Sequence, residues 1–195
     1  MRVKILFVVF SLLFVREAIS QEYKEKIKQD FRQYTDLIKN QDFEQAMDYV
    51  VPEFFELIPK EKMIETFEMV FNNPEMVIEF KENKINSMED FKRIEQKYYV
   101  KYVYFTVMDM GFKRGEGFTD QEYDQMLEGV KASFVQTFGQ ENVSYNQEAH
   151  VFTLKMTKEG YAVSEKLEAD RWLFVNLEKG QEALLGKLLP AQLLE

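Results

Sequence analysis

At residues 97–110 the sequence reads KYYVKYVYFTVMDM, a stretch of β-branched and aromatic residues without Gly or Pro. This composition is typical of a β-strand, whose side chains alternate between two faces. The even-numbered face carries Tyr98, Val100, Tyr102, Tyr104, Thr106 and Met108. The odd-numbered face carries Tyr99, Lys101, Val103, Phe105, Val107 and Asp109. Since both faces are largely apolar, the sequence predicts a central strand that is covered on both sides.

The segments before this stretch predict helices first and strands afterwards. Apolar residues recur at helical spacing over 22–40, 43–50 and 59–71. Alternating residues then predict a strand over 76–81, followed by a polar, turn-like segment at 82–90.

The central strand itself is expected to extend over residues 91–110. A straight strand of that length would exceed the width of a small domain, so the sequence predicts a β-bulge between Phe91 and Tyr98.

After the central strand the sequence predicts one long helix and a meander of short strands. Thr119 and Glu122 form a capping-box pattern and Gly139 is a typical stop signal, which places the helix over 120–138. A turn is expected at 158–160 and an amphipathic segment at 182–194. The predicted strands of the meander are 143–145, 149–157, 161–164 and 171–177.

This order of elements predicts an α+β fold, with the N-terminal helices packed on an antiparallel sheet and a C-terminal helix. No linker or internal repeat divides residues 21–195, so they are expected to form a single domain. Deep burial is expected for Val103, Phe105, Phe134, Leu154 and Trp172.

Residues 1–20 have the pattern of a secretory signal peptide. Arg2 and Lys4 precede an apolar run at 5–15, and Ala18-Ile19-Ser20 offers the small residues that a signal peptidase reads. The alternative is a membrane anchor, but the run is about half the ~20 residues that span a bilayer. We therefore expect cleavage before Gln21 and a periplasmic or secreted protein.

Composition excludes several function classes. The net charge is −9, and it becomes −11 once residues 1–20 are removed, which argues against nucleic acid or anionic lipid as partners. The chain has no cysteine and one histidine, so thiol nucleophiles, iron–sulfur clusters and multi-histidine zinc sites are ruled out. No cofactor and no metal site are expected.

The helical start at 23–50, the strand at 98–108 and the ending Arg171-Trp172-Leu173-Phe174-Val175 together resemble the nuclear transport factor 2-like superfamily of cystatin-like α+β rolls. The segments at 59–63 and 187–190 are similar to exported proteins of Bacteroidetes-type bacteria. The first resemblance implies a curved sheet that forms a cone with the N-terminal helices, and dimerisation through the sheet. The second implies a bacterial exported setting.

Two residues are candidates for catalysis. Asp109 follows a nearly uncharged strand, and a carboxyl group in an apolar cleft can act as an acid or base. Its other interpretation is a strand end that points to water before Gly111. His150 lies beside Phe152 and has no partner at a triad-like spacing, so a core or rim position is the alternative.

Tyrosine and tryptophan side chains suggest a ligand pocket, because each brings a polar tip to an apolar wall. The sequence predicts a cavity bordered by the even-numbered face, with Trp172 or Tyr161 across from it. A packed core or a dimer interface would use the same residues. The predicted pocket residues are Tyr98, Tyr102, Tyr104, Tyr161 and Trp172.

Two kinds of function follow. The first is a non-enzymatic binding or interaction domain with an apolar cavity, whose expected partners are a small apolar or amphipathic ligand and a second copy of the chain. The alternative is a small isomerase, cyclase or hydrolase that uses Asp109 with a tyrosine.

Overall fold

The computed structural model describes residues 2–177 and 180–194, with side chains from residue 21 onward except residue 182. Within these ranges the fold is α+β, as the sequence predicts, with six α-helices and an open, six-stranded antiparallel sheet. The helices are α1 Arg2–Lys39, α2 Phe43–Ala46, α3 Pro52–Phe55, α4 Lys60–Phe71, α5 Asp120–Phe138 and α6 Glu182–Leu188. The strands are β1 Met76–Met88, β2 Lys92–Ile94, β3 Lys97–Phe112, β4 Val143–Asn146, β5 Val151–Ser164 and β6 Leu173–Leu177.

Helix α1 supplies the main apolar stripe against the sheet. Tyr23, Ile27, Phe31 and Tyr34 recur at intervals of three or four residues and are all buried. The helix predicted over 22–40 is the C-terminal part of α1, which begins at Arg2.

None of the described helices is both long and apolar enough to cross a lipid bilayer.

Strand β3 is the centre of the sheet, because β1 pairs with one of its edges and β5 with the other. The predicted single strand over 91–110 is wrong. β2 folds back on β3 in a hairpin, where Ile94 pairs with Lys97 across a two-residue turn. The turn residue Glu95 has a φ of 54°, so the reversal occurs without the Gly or Asn that usually marks such a turn.

Strand β1 is longer than predicted, and the turn-like segment at 82–90 is wrong because the strand continues to Met88. Its register against β3 shifts between Phe80 and Glu82 and again between Ile85 and Ser87. Each shift inserts one extra residue, which reverses the side-chain alternation. The two bulges therefore place Phe80, Ile85 and Met88 on the same face of the sheet, opposite Met108, Tyr104 and Tyr102.

Strand β5 is continuous, so the predicted turn at 158–160 and the two separate strands around it are wrong. Residues 158–160 pair with Tyr104, Val103 and Tyr102 of β3. Gly160 is needed there for space, since a Cβ atom would lie 2.9 Å from the backbone oxygen of Val175.

One face of the sheet, here called the inner face, carries most of the helical cover. Phe31 of α1 packs on Tyr102 and Tyr104, and Phe134 of α5 packs on Phe112 and Phe152 further along the same face. The opposite, outer face is covered in part by the C-terminal segment, where Leu185 joins a cluster with Tyr161. α1 and α5 thus share one face.

The predicted core is right for two residues and wrong for three. Leu154 and Trp172 are fully buried. Val103 and Phe105 are half-buried and lie on the outer face, and Phe134 is half-buried where it packs against the cluster of Phe152 on the inner face.

The predicted boundaries of α5 are confirmed. Thr119 and Glu122 cap each other reciprocally, and Gly139 ends the helix with a φ of 91°.

Candidate functional site

Tyr102 and Tyr104, two of the predicted pocket residues, lie side by side in a filled aromatic cluster. Their rings are 5.8 Å apart, and Phe31 packs against both. Tyr102 is fully buried and its hydroxyl donates to Asn176 Oδ1 at 2.8 Å. Burial raises the pKa of Tyr102 well above its usual range. The hydroxyl is therefore satisfied inside the fold rather than presented to a cavity.

The other predicted pocket residues are not brought together. Tyr98 lies half-buried between Phe91 and the guanidinium of Arg93. Tyr161 belongs to the outer face, where its hydroxyl donates to the backbone oxygen of Leu193 at 2.9 Å. Trp172 is fully buried beside Tyr23. None of the five predicted residues lines the cavities described below.

Asp109 lies on the outer face, with 23% of its side chain exposed. Its Oδ1 accepts a hydrogen bond from Thr153 at 2.6 Å, and Lys81 Nζ lies 3.5 Å from Oδ2. Among the described residues neither of these two partners of Asp109 is a tyrosine or the histidine. This environment is that of a carboxylate held by two neighbours on an open sheet.

His150 is held by two tyrosines just before β5 begins, near the same end of the sheet as Asp109. Its Nδ1 lies 3.0 Å from the hydroxyl of Tyr145, and its ring packs edge-on against Tyr123. The backbone of His150 is left-handed, with a φ of 52°. It borders a cavity of about 530 Å³ that also exposes Arg114 and Asp124.

A cleft that sequence reasoning did not find lies where α3 faces the end of β5 and the start of β6. We call it the Lys97 cleft, and its volume is about 430 Å³. Its apolar part, here called the apolar floor, consists of Val51, Pro52, Val163, Ala169 and Leu173. Its charged part consists of Glu53, Lys97, Glu165, Lys166, Asp170 and Arg171. Equal numbers of acidic and basic groups therefore surround an apolar floor.

An ion pair stands at the cleft. Lys97 donates a hydrogen bond to Glu53, and the two side chains are about one third exposed. The hydrogen bond with Glu53 raises the pKa of Lys97. Burial opposes ionisation of Glu53, but the hydrogen bond from Lys97, a backbone hydrogen bond and the positive charge of Lys97 together outweigh burial and lower the pKa of this carboxyl. Both groups are charged at neutral pH.

A second cavity, the α1 groove, lies between α1 and residues 167–169. Its volume is about 710 Å³, and its walls include Tyr23, Arg32 and Leu167. Ala169 borders both the α1 groove and the Lys97 cleft. The segment that connects β5 to β6 thus borders both cavities.

Sequence reasoning also missed the buried carboxylate Asp30, which is 2% exposed. Its Oδ1 pairs with Lys26 Nζ at 2.6 Å, and its Oδ2 accepts from the backbone N–H of Trp172 at 2.8 Å. A signal existed, because Asp30 lies next to Phe31 on the apolar stripe of α1 and follows Lys26 by one helical turn.

In the part of the chain with described side chains, no three acidic or histidine residues converge as a metal site would require. Comparison with known proteins gives no match: no family model, curated protein or solved structure is significantly similar to the chain.

Proposed function

We propose that the protein is an exported, non-enzymatic binding domain that holds a small amphipathic molecule in the Lys97 cleft. The observation that carries this proposal is the partly exposed Lys97–Glu53 ion pair beside an apolar floor. An apolar cavity with a few convergent polar groups is the usual form of a small-molecule site. The balanced charges around the cleft favour a head group that is neutral or zwitterionic.

The binding experiment uses decylphosphocholine, a single-chain zwitterionic amphiphile, below its critical micelle concentration. Isothermal titration calorimetry on residues 21–195 should show saturable binding. Phosphocholine without the alkyl chain should not bind, because no apolar surface of the floor is then removed from water on binding.

Lys97→Gln should weaken the binding of decylphosphocholine several-fold, since the head group loses a charged partner. Lys101→Gln is the matched control, because Lys101 lies on the same face of β3 and pairs with Glu159 at 2.8 Å but does not line the cleft. Equal affinities of the two variants would contradict the Lys97 cleft as the site.

Export is proposed from the basic start, the short apolar run and the small residues at 18–20. Expression of residues 1–195 in a bacterial host, followed by N-terminal sequencing of the exported protein, should give Gln21 as the first residue. Recovery of the exported protein with Met1 intact would overturn this part of the proposal.

The outer face favours a second candidate function, association with a second copy of the chain. Val103, Phe105 and Val107 form a half-buried apolar row on this face of β3. Sedimentation equilibrium should show a dimer that Phe105→Lys converts to a monomer. A wild-type protein that stays monomeric at about 100 μM, a concentration far above a dissociation constant of about 1 μM, would retire this candidate.

A further inference from the structure

The indole nitrogen of Trp172 is a buried donor without an acceptor among the described residues. The side chain is fully buried, so bulk water does not reach it in this conformation. Buried donors are nearly always paired, because an unpaired one loses its hydrogen bonds to water. The backbone N–H of the same residue is paired with Asp30, so the orphaned group is the indole alone.

Residues 165–171, the segment that precedes Trp172, line both the α1 groove and the Lys97 cleft. Leu167 and Ala169 pack against the cluster that contains Trp172, and both border the α1 groove. Tyr23 borders the same groove, and its ring centroid lies 6.2 Å from that of Trp172. Trp172 therefore lies behind residues that line the α1 groove, and Ala169 among them also lines the Lys97 cleft.

The segment is anchored mainly at its two ends. The N–H of Lys166 donates to Ser164 Oγ at one end, and Arg171 Nη1 donates to the backbone oxygen of Asp48 at the other. Between them, within the described part of the chain, residues 167–170 make no backbone–backbone hydrogen bond. A segment held by a few apolar contacts opens at a lower free energy than the strands beside it.

We infer that residues 165–171 form a lid over a single ligand site that joins the two cavities, and that the ligand is a zwitterionic amphiphile whose head oxygen accepts the Trp172 indole N–H. Opening of the lid exposes the orphaned donor, and the ligand supplies the acceptor that the fold lacks. The alkyl chain covers the apolar floor of the Lys97 cleft, and the ammonium group faces the acidic residues around it. The inference rests on the proposed function, because the Lys97 cleft is half of the site.

The chain contains one tryptophan, so its indole N–H gives a single resonance in a nitrogen-15 NMR spectrum. Saturation with decylphosphocholine should shift this resonance downfield, as a new hydrogen bond does. Decyltrimethylammonium, which has the same chain and ammonium group but no phosphate oxygen, should leave the resonance close to its free position. A resonance that does not move with decylphosphocholine would overturn the inference without any variant.

Trp172→Phe keeps an aromatic ring and removes the donor. It should weaken decylphosphocholine binding about tenfold, as expected for one hydrogen bond to a charged acceptor, and leave decyltrimethylammonium binding unchanged. Wild-type affinity in this variant, together with weaker binding by Lys97→Gln, would overturn the inference and leave the proposed function standing. Wild-type affinity in both variants would overturn both.

Leu167→Ser tests the lid itself, because it removes an apolar anchor of the segment. Acrylamide should quench Trp172 fluorescence more strongly in this variant, because the segment then opens at a lower free energy. Leu188→Ser is the matched control, because Leu188 is a half-buried leucine in α6 that packs against the cluster of Tyr161 and Leu185. Equal quenching in the two variants would exclude residues 165–171 as the lid.

Discussion

The ring of Tyr102 lies against Gly160 of the neighbouring strand, so that a Cβ atom at residue 160 would stand 2.5 Å from both Cζ and the hydroxyl oxygen. The tyrosine is fully buried, and its hydroxyl donates a hydrogen bond to Asn176 Oδ1. This contact fixes the place of Tyr102 in the core and explains a glycine inside a long strand.

Gly160→Ala should destabilise the protein by about 2–3 kcal/mol, because the methyl group forces Tyr102 or the backbone of β6 to move. Urea denaturation measures the free energy of unfolding. Gly129→Ala is the control, since nothing lies within 4 Å of a Cβ there and the helix gains stability. A Gly160→Ala variant as stable as the control would contradict the close packing of Tyr102.

Asp30→Ala should lower the free energy of unfolding by about 3 kcal/mol, because it leaves the buried N–H of Trp172 without its acceptor and Lys26 without its partner. Asp36→Ala, on the exposed side of the same helix, should change it by less than about 0.5 kcal/mol. If both variants unfold at the same urea concentration, Asp30 does not tie α1 to the start of β6.

Phe152→Ala should destabilise more than Phe134→Ala, although the two rings are in contact with centroids 5.4 Å apart. Phe152 is fully buried, and emptying such a site costs about 3–5 kcal/mol. Phe134 keeps part of its surface in water, so about 1–3 kcal/mol is expected there. The reverse order in urea melts would mean that α5 packs more deeply than described.

Stability should fall between pH 10 and 12. Burial raises the pKa of Tyr34 from its ordinary value near 10 to about 12. The stability that neutral Tyr34 contributes is therefore complete below pH 10 and is lost as the pH rises through 12. The reason is that this tyrosine ionises near pH 10 in the unfolded chain but only near pH 12 in the folded protein. Tyr102 and Lys97 also have raised pKa values and act in the same direction.

Tyr34→Phe isolates the tyrosine contribution. Urea melts of wild type and variant at pH 8.5, 10 and 11.5 should show a smaller loss of stability in the variant. Parallel pH profiles for the two proteins would show that Tyr34 does not titrate across the unfolding transition.

The sequence predicts the α+β class, the central strand and the ends of α5, because these depend on local composition and capping. It misses the extent of β1, since the extra residues Lys81 and Asn86 break the alternation on which a strand prediction depends. It predicts a turn at 158–160 because glycine is common in turns. Gly160 is instead required to make room for the ring of Tyr102 on the neighbouring strand.

The site was harder to predict than the fold. Alternation along β3 separates the two faces correctly, but it does not say which helices cover which face. The Lys97 cleft is built from α3, β3, β5 and β6, so its residues become neighbours only after the chain has folded. Glu53 and Lys97, separated by 44 positions, have no sequence pattern that links them.

The two bulges of β1 also affect how the folded protein behaves in a crowded solution. β1 is an edge strand of the sheet. Within the described ranges, the edge of β1 that faces away from β3 pairs with no other strand. A flat edge of 13 residues would be a template on which a second chain could add its own strand. Lys81 and Asn86 interrupt the ladder at two places, and Glu79, Glu82 and Lys84 place charges along it. A chain that folds without disulfides thereby resists edge-to-edge aggregation.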